Sequence, residues 1–365
     1  MNQVKELTQL KLIKGVGDVT IRKIITKIDD LAELTTFSAV QLATEAELDL
    51  VKAQIVIDGL ADPNLAAEHV NLSELMRNKK IDVLTIFDER YPQILKEIAE
   101  PPLLLFAIGD LNLLTEKMIA VVGTRKPSHY GVYATKKIVA ELVEYGFTIV
   151  SGLAKGIDSL GHSIALENAG KTVAVLGCGI DVIYPPENRS LYAAIAQKGL
   201  ILSEYLPGER ARTGYFPLRN RIISGLAYGT LVVEASLKSG TLITAQAALD
   251  QSREVFAIPG PISSINSVGT NHLIKQGAKL VQSVDDIIEE LSYLNMSSQN
   301  MERELVKLTA KEKKIYNVLQ IETADIDNLL LKTQLNFNEI YQYLLTMQLK
   351  GLIVKLPGGQ YMLNK

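Results

Sequence analysis

Cations and glycines recur together along this chain, and their spacing is suited to holding phosphate. Arg125 and Lys126 follow Gly123 and Thr124 at the end of a short apolar run, Met118 to Val122. Ser151 and Gly152 close a second run, and Lys155 comes shortly after. Beyond a third run lie Gly177-Cys178-Gly179 and then Tyr184-Pro185-Pro186-Glu187-Asn188. Phe216-Pro217-Leu218-Arg219-Asn220-Arg221 and Ser239-Gly240-Thr241 complete the series. Glycine lets an anion approach the main chain, and arginine clamps a phosphate through two parallel hydrogen bonds.

One phosphate needs one such loop. Several loops on one surface match several consecutive phosphates, which means a strand of nucleic acid. Tyr184, Tyr215 and Phe216 are placed to stack bases, worth roughly 1–3 kcal/mol per base. Other readings stand beside these. Arg219 and Arg221 also suit internal ion pairs with Glu204 or Glu234, and Phe216 also suits a core position. Asp158 and His162, four apart on a helix, have the spacing of metal ligands. No third ligand accompanies them, so a helix cap and a packed histidine are expected, and no metal or cofactor. Cys178 reads as structural.

The elements that must position these groups alternate. Apolar runs at 118–122, 147–150, 172–176, 199–202, 230–233, 254–258 and 279–281 read as buried strands. Helices fit at 129–145, 157–169, 188–197, 217–226, 241–251 and 268–277. This alternation predicts an α/β fold, a doubly wound, mostly parallel sheet with helices on both faces. Right-handed crossovers then bring every post-strand loop to the carboxyl edge. Strand, glycine, polar loop and helix at 118–131 also form the unit that offers a helix N-terminus to an anion.

The flanks differ. Residues 1–77 read as a helical domain, with helices at 41–60 and 65–77. Leu10 to Gly17 resembles a helix-hairpin-helix (SAM-like) entry, where Gly15-Val16-Gly17 either offers backbone N–H groups to a phosphate or makes a tight turn. Residues 78–117 are expected to add a strand or two beside the main sheet, so the sheet domain runs over 78–291. Residues 292–308, with a Ser-Ser-Gln-Asn centre, read as a linker. Residues 309–365 read as three helices and a Gly-Gly hairpin, a winged helix. Its last helix has an apolar face of Phe337, Ile340, Leu344 and Met347 and an opposite face with little positive charge.

Composition excludes several classes. Hydrophobic content of 47% and charged content of 22% are those of a globular chain. No apolar run approaches the ~20 residues of a membrane span. Lys5, Glu6, Lys11 and Lys14 interrupt the N-terminus, so no signal peptide is expected. The single cysteine excludes an internal disulfide and fits a cytoplasmic setting. The net charge of -3 does not announce nucleic acid, but binding depends on a local basic patch.

The ordered stretches VVGTRKPSHYG (121–131), SGLAKGID (151–158), GKTVAVLGCGIDVIYPPENRSLY (170–192), ILSEYLPG (201–208), FPLRNRIISGL (216–226), LVVEASLKSGTLITA (231–245) and REVFAIPG (253–260) resemble the DNA-processing protein A family, DprA or Smf. Gly161 and Thr241 depart from the family's usual alanine and serine. The resemblance implies a Rossmann-like domain that binds single-stranded DNA during natural transformation, shields it and loads the RecA recombinase, with no catalytic step. It also implies a homodimer that meets RecA through that domain. By the same resemblance Arg125 is a DNA contact and residues 216–221 line its pocket. The full expected DNA-binding set is Gly123, Thr124, Arg125, Lys126, Ser151, Gly152, Lys155, Asn188, Phe216, Arg219, Asn220, Arg221, Ser239 and Gly240.

Rival functions fit less well. Related nucleotide-cleaving enzymes, phosphoribohydrolase-like, carry a Pro-Gly-Gly-x-Gly-Thr-x-x-Glu loop. Here Thr241 is followed at that spacing by Thr244, and Glu234 lies ahead of the loop. A dinucleotide oxidoreductase would need G-x-G-x-x-G, and Gly177-Cys178-Gly179 is only a G-x-G. A regulator reading duplex DNA would need a more basic winged helix.

Overall fold

The computed structural model describes residues 3–294, 308–321, 323–349, 352–356 and 359–363. The linker expected over 292–308 falls largely outside them, as do Pro357 and Gly358 of the hairpin. The chain divides into two compact units, Met1–Asn295 and Met296–Lys365.

In the larger unit, helices α1 (Val4–Leu12), α2 (Asp18–Lys27), α3 (Ala39–Glu45), α4 (Leu50–Ala61) and α5 (Pro63–Asn78) come first. Gly15, at φ +86°, makes the turn between α1 and α2 tight, and Lys52 Nζ donates to its carbonyl at 2.8 Å. The single helix expected over 41–60 is divided between α3 and α4. Glu47 is left-handed at φ 50°, and the Asp49 carboxylate restarts the helix by accepting the Lys52 N–H at 2.7 Å.

Strands β1 (Asp82–Thr85) and β2 (Leu104–Gly109) follow, with the short helix α6 (Gln93–Lys96) between them. Next come β3 (Met118–Val122), α7 (His129–Glu144), β4 (Thr148–Ser151), α8 (Ile157–Glu167), β5 (Thr172–Leu176), α9 (Arg189–Lys198) and β6 (Leu200–Ser203). The unit continues through α10 (Tyr215–Gly225), β7 (Gly229–Val232), α11 (Thr241–Asp250), β8 (Glu254–Ala257), α12 (Val268–Lys275), β9 (Lys279–Leu280) and α13 (Asp285–Glu290). Among the described residues these strands form one sheet in the order β1-β2-β6-β5-β4-β3-β7-β8-β9. β3 to β9 run parallel, and β1 and β2 extend the β6 edge antiparallel. The doubly wound fold expected from the alternation is the one observed.

The central strands read as largely apolar runs because both faces are covered. In β5, Val173 and Val175 join a core with α10, α11 and α12, while Ala174 and Leu176 join the opposite one. That opposite core also holds Leu7, Leu10, Ile21 and Ile24 of the first helices and Phe106 of β2. The helices of 1–77 therefore share one core with the sheet and are not set apart from it. No helix among the described residues is long and apolar enough to cross a membrane.

The smaller unit holds helices Ala310–Ile321, Ile326–Thr333 and Phe337–Leu349 and a hairpin of Ile353–Lys355 with Tyr361–Leu363. This is a winged helix. Ile340, Leu344 and Met347 are buried as expected, but Phe337 is 56% exposed and stacks on Tyr341. Phe337 is the first residue of its helix, one turn ahead of Ile340, where the stripe runs past the end of the core.

Candidate nucleic-acid interface

β3 and β7 lie side by side and parallel, with Val122 opposite Val232. The chain leaves β3 toward β4 on one side and leaves β7 toward β8 on the other, so the strand order reverses between them. Loops diverge at such a point and leave a crevice beyond the carboxyl ends. A cavity of about 620 Å³ occupies it. Its walls are Gly123 to Lys126 after β3, Ser239 to Thr241 after β7, and one side of α10.

The period of α10 decides what that last wall offers. Phe216, Arg219, Asn220 and Ile223, at positions i, i+3, i+4 and i+7, all line the cavity. Arg221 lies about 200° round the helix from Arg219 and faces elsewhere. Phe216 is half-buried, seated where a side chain on Gly177 would collide with its ring, and its centroid is 5.4 Å from that of Tyr184. Arg125, Lys155, Tyr184 and Phe216 line a smaller adjoining recess of about 60 Å³.

The expected site residues separate into a surface layer and a supporting layer. Arg125 and Lys126 are exposed, and neither side chain has a hydrogen bond or ion pair among the described residues. Lys155 is exposed but paired with Glu187. Arg219 is 4% exposed and forms the cavity floor, donating to the carbonyl of Gly152 at 2.8 Å and to that of Val175. Ser151, Gly152, Asn188 and Arg221 do not line the cavity. The Ser151 hydroxyl donates to Val121 O at 2.6 Å, and the Asn188 amide to Leu153 O at 2.9 Å. Arg221 pairs with the buried Glu204 carboxylate at 2.6 Å, one of the internal pairings left open above. Gly152 leaves room for the Arg219 guanidinium, which a side chain there would strike.

Two buried carboxylates hold the loops in place. Asp158, near the start of α8, accepts from the Gly152 N–H at 3.2 Å. Burial raises its carboxyl above the ordinary range, while Arg219 and the N–H groups of Gly152, Ala154 and Gly123 pull it back. It thus ties the loop after β3 to the loop after β4. Glu234 lies beyond β7 and accepts from the Ser128 N–H at 2.9 Å and the Ser128 hydroxyl at 2.5 Å. Ser128 in turn caps α7 by accepting from the Gly131 N–H at 3.1 Å. The helix N-terminus that the motif offered to a phosphate is therefore closed by an internal anion.

His162 is fully buried and its Nδ1 lies 2.6 Å from the Thr172 hydroxyl. Burial lowers its pKa to about 3. Its contacts are those of a packed histidine. Sequence reasoning missed the brace by Glu234 and the cavity-lining Asn266, whose amide donates to Lys126 O at 3.2 Å. It also missed Arg212, which lies over the Tyr215 ring at 5.4 Å beside the cavity-lining Thr213. The cations in GERARTG, just ahead of Phe216, are the signal that would have found Arg212.

Comparison with known proteins finds relatives of this chain. Residues 82–292 match the family model for DNA recombination-mediator protein A, and residues 299–359 match the DprA winged helix domain. The chain is similar to the DNA processing protein DprA of Streptococcus pneumoniae, 47% identical over 215 residues, covering 59% of this chain and 76% of the relative. The crystal structure of the S. pneumoniae DprA superposes with a TM-score of 0.70 at 38% identity, covering 80% of this chain and 99% of that one. A Helicobacter pylori DprA structure, described for its single-stranded DNA binding mode, superposes with a TM-score of 0.54 at 32% identity, covering 59% of this chain and 96% of that one.

Proposed function

This chain belongs to the DNA recombination-mediator protein A family, and we propose that it binds single-stranded DNA in the crevice between β3 and β7, shields it and hands it to the RecA recombinase. The observation that carries the reading is that Arg125 and Lys126, exposed and without a side-chain partner among the described residues, line the same crevice as Phe216. Cations beside an aromatic ring suit a phosphate chain with splayed bases. The closed helix N-terminus argues against a lone nucleotide, whose phosphates would seek it. The DNA contacts in this reading are Gly123 to Lys126, Lys155, Phe216, Asn220, Ser239 and Gly240, with Arg219 beneath them. Ser151, Gly152, Asn188 and Arg221 support the loops instead. RecA transfer, competence and a cytoplasmic setting come with the family resemblance.

The protein acts here as a binder without catalysis of its own. The rival nucleotide-cleaving reading needs a free carboxylate aimed into the cavity; both oxygens of Glu234 accept from Ser128, and the cavity-lining Asp158 is held by the Gly152 N–H and the Arg219 charge. Homodimerisation is part of the same proposal. An apolar groove lined by Leu237, Ile262, Val268 and Leu280, with Ile262 96% exposed, suits a second copy of the chain. Sedimentation of Ile262→Asp as a monomer would support that face, and an unchanged mass would remove it.

The deciding experiment is binding of an unstructured oligonucleotide against the matching duplex. Single strand should bind more tightly, and log K should fall with log[salt] by about 0.7 per phosphate contacted. Equal or tighter duplex binding would overturn the reading.

A further inference from the structure

We propose that the outward face of α7 is a second segment of the DNA path, carrying the strand out of the crevice. This rests on the reading that the crevice holds single-stranded DNA. α7 begins directly after the loop that bears Arg125 and Lys126. Gly131, Ala134, Thr135, Ile138 and Leu142 are buried on its inner side. His129, Tyr133 and Lys136 lie within about 60° of one another on the opposite side, with Lys137 flanking them. All four are exposed, Tyr133 by 65%. An aromatic ring set between cations is the pattern that combines stacking with phosphate attraction.

Charge gives the path a direction. Of the other nearby cations, Lys155 in the adjoining recess faces Glu187, and Arg221, outside the crevice, faces Glu204. Lys126 and Lys136 have no hydrogen bond or ion pair to their side chains among the described residues. The run ends where acids begin: Glu141 lies close enough to Lys137 to feel its charge, and Glu144 and Asp285 follow. From His129 to Lys137 the helix rises about 12 Å. That accommodates about three phosphates at the stacked-strand spacing of ~3.4 Å. The mount is firm, because the Tyr130 hydroxyl donates to Pro259 O at 2.8 Å and pins the first turn of α7 to the loop after β8.

The test compares oligothymidylates of about 5 and about 15 nucleotides, lengths near the two ends of the range of single-strand site sizes. On the full chain the longer strand should show a salt slope steeper by about 1.4, two extra phosphate contacts at ~0.7 each. Additional binding registers on a longer strand would raise affinity without changing that slope. Lys136→Gln with Lys137→Gln should abolish the increment in slope and leave the 5-mer's binding unchanged. Tyr133→Ala should weaken the 15-mer several-fold at unchanged slope. A full increment in the double variant would overturn the α7 path. A wild-type chain that fails to bind the 5-mer would instead overturn the crevice reading on which it rests.

Discussion

Glu234 and Ser128, 106 residues apart in sequence, are joined by two hydrogen bonds, at 2.9 Å from the Ser128 N–H and 2.5 Å from its hydroxyl. This contact fastens the loop after β7 to the loop after β3 and stands where a cofactor's phosphate would otherwise sit. The cations of that loop are left facing outward. Glu234→Gln puts an amide N–H₂ against one of these donors. It should lower stability by about 1–3 kcal/mol, the cost of leaving a buried donor unmade, and weaken single-strand binding with it. Urea unfolding and fluorescence anisotropy check both. A variant as stable and as tight as wild type would show that the brace is not needed.

Arg125→Ala removes a cation with no hydrogen-bond or ion-pair partner among the described residues. Stability should stay within about 0.5 kcal/mol of wild type. Binding should weaken alike for thymine-, adenine- and cytosine-rich strands, because phosphates carry no sequence information. The salt slope should become shallower by about 0.7. Wild-type affinity in this variant would refute the crevice assignment.

Arg221→Ala should behave in the opposite way. Its partner Glu204 is 5% exposed, so the substitution strands a buried charge. Breaking such a pair costs about 3–5 kcal/mol. Denaturant midpoints should fall sharply. The protein that remains folded should bind single strand almost as wild type does. A large affinity loss with unchanged stability would return Arg221 to the DNA-contact set.

His162 predicts a pH dependence. Folded, it refuses a proton until about pH 3. Unfolded, it takes one up near pH 6.5. The unfolded state therefore binds more protons between these values, and stability falls as pH drops through that window. One proton corresponds to about 1.4 kcal/mol per pH unit. Asp158, whose folded pKa is raised, works in the other direction. Subtracting the stability profile of His162→Gln isolates the histidine. Parallel profiles from pH 6.5 to 4 would show that His162 is not held neutral.

Fragments test how the chain is divided. Residues 78–290 alone would lack the helices that cover Leu104, Phe106 and Leu176. That fragment should aggregate or unfold. Residues 1–294, which keep the shared core, should fold and bind single strand like the full chain. A soluble, cooperatively melting 78–290 fragment would show that the first five helices are dispensable.

Much of this was legible in the residues. The strands and helices of 118–281 lie within about two residues of the positions expected from apolar runs and breaks, since both sheet faces are covered and the central strands are largely apolar. Gly123, Arg125, Lys126, Phe216 and Ser239 were recognisable as crevice residues because post-strand loops of a parallel sheet share one edge. The division of Arg219 from Arg221 was half legible, since two positions along a helix turn a side chain by about 200°. Which of the two directions faces the cavity depends on how α10 packs on β5 and α11.

The sequence by itself therefore determined the order and type of the elements and the edge where chemistry gathers, because periodicity and glycine placement act locally. The tertiary structure decided which cations are free. Arg219 is built into the floor by the carbonyls it donates to, Arg221 is matched by Glu204, and Arg125 is left open because Glu234 reaches Ser128 and not the arginine. A charge is free for binding when no buried partner holds it, and an exposed pair such as Lys155 with Glu187 is weak enough to exchange. Whether a buried partner reaches it is a matter of ångströms between residues far apart in the chain, and no pattern along the sequence encodes it.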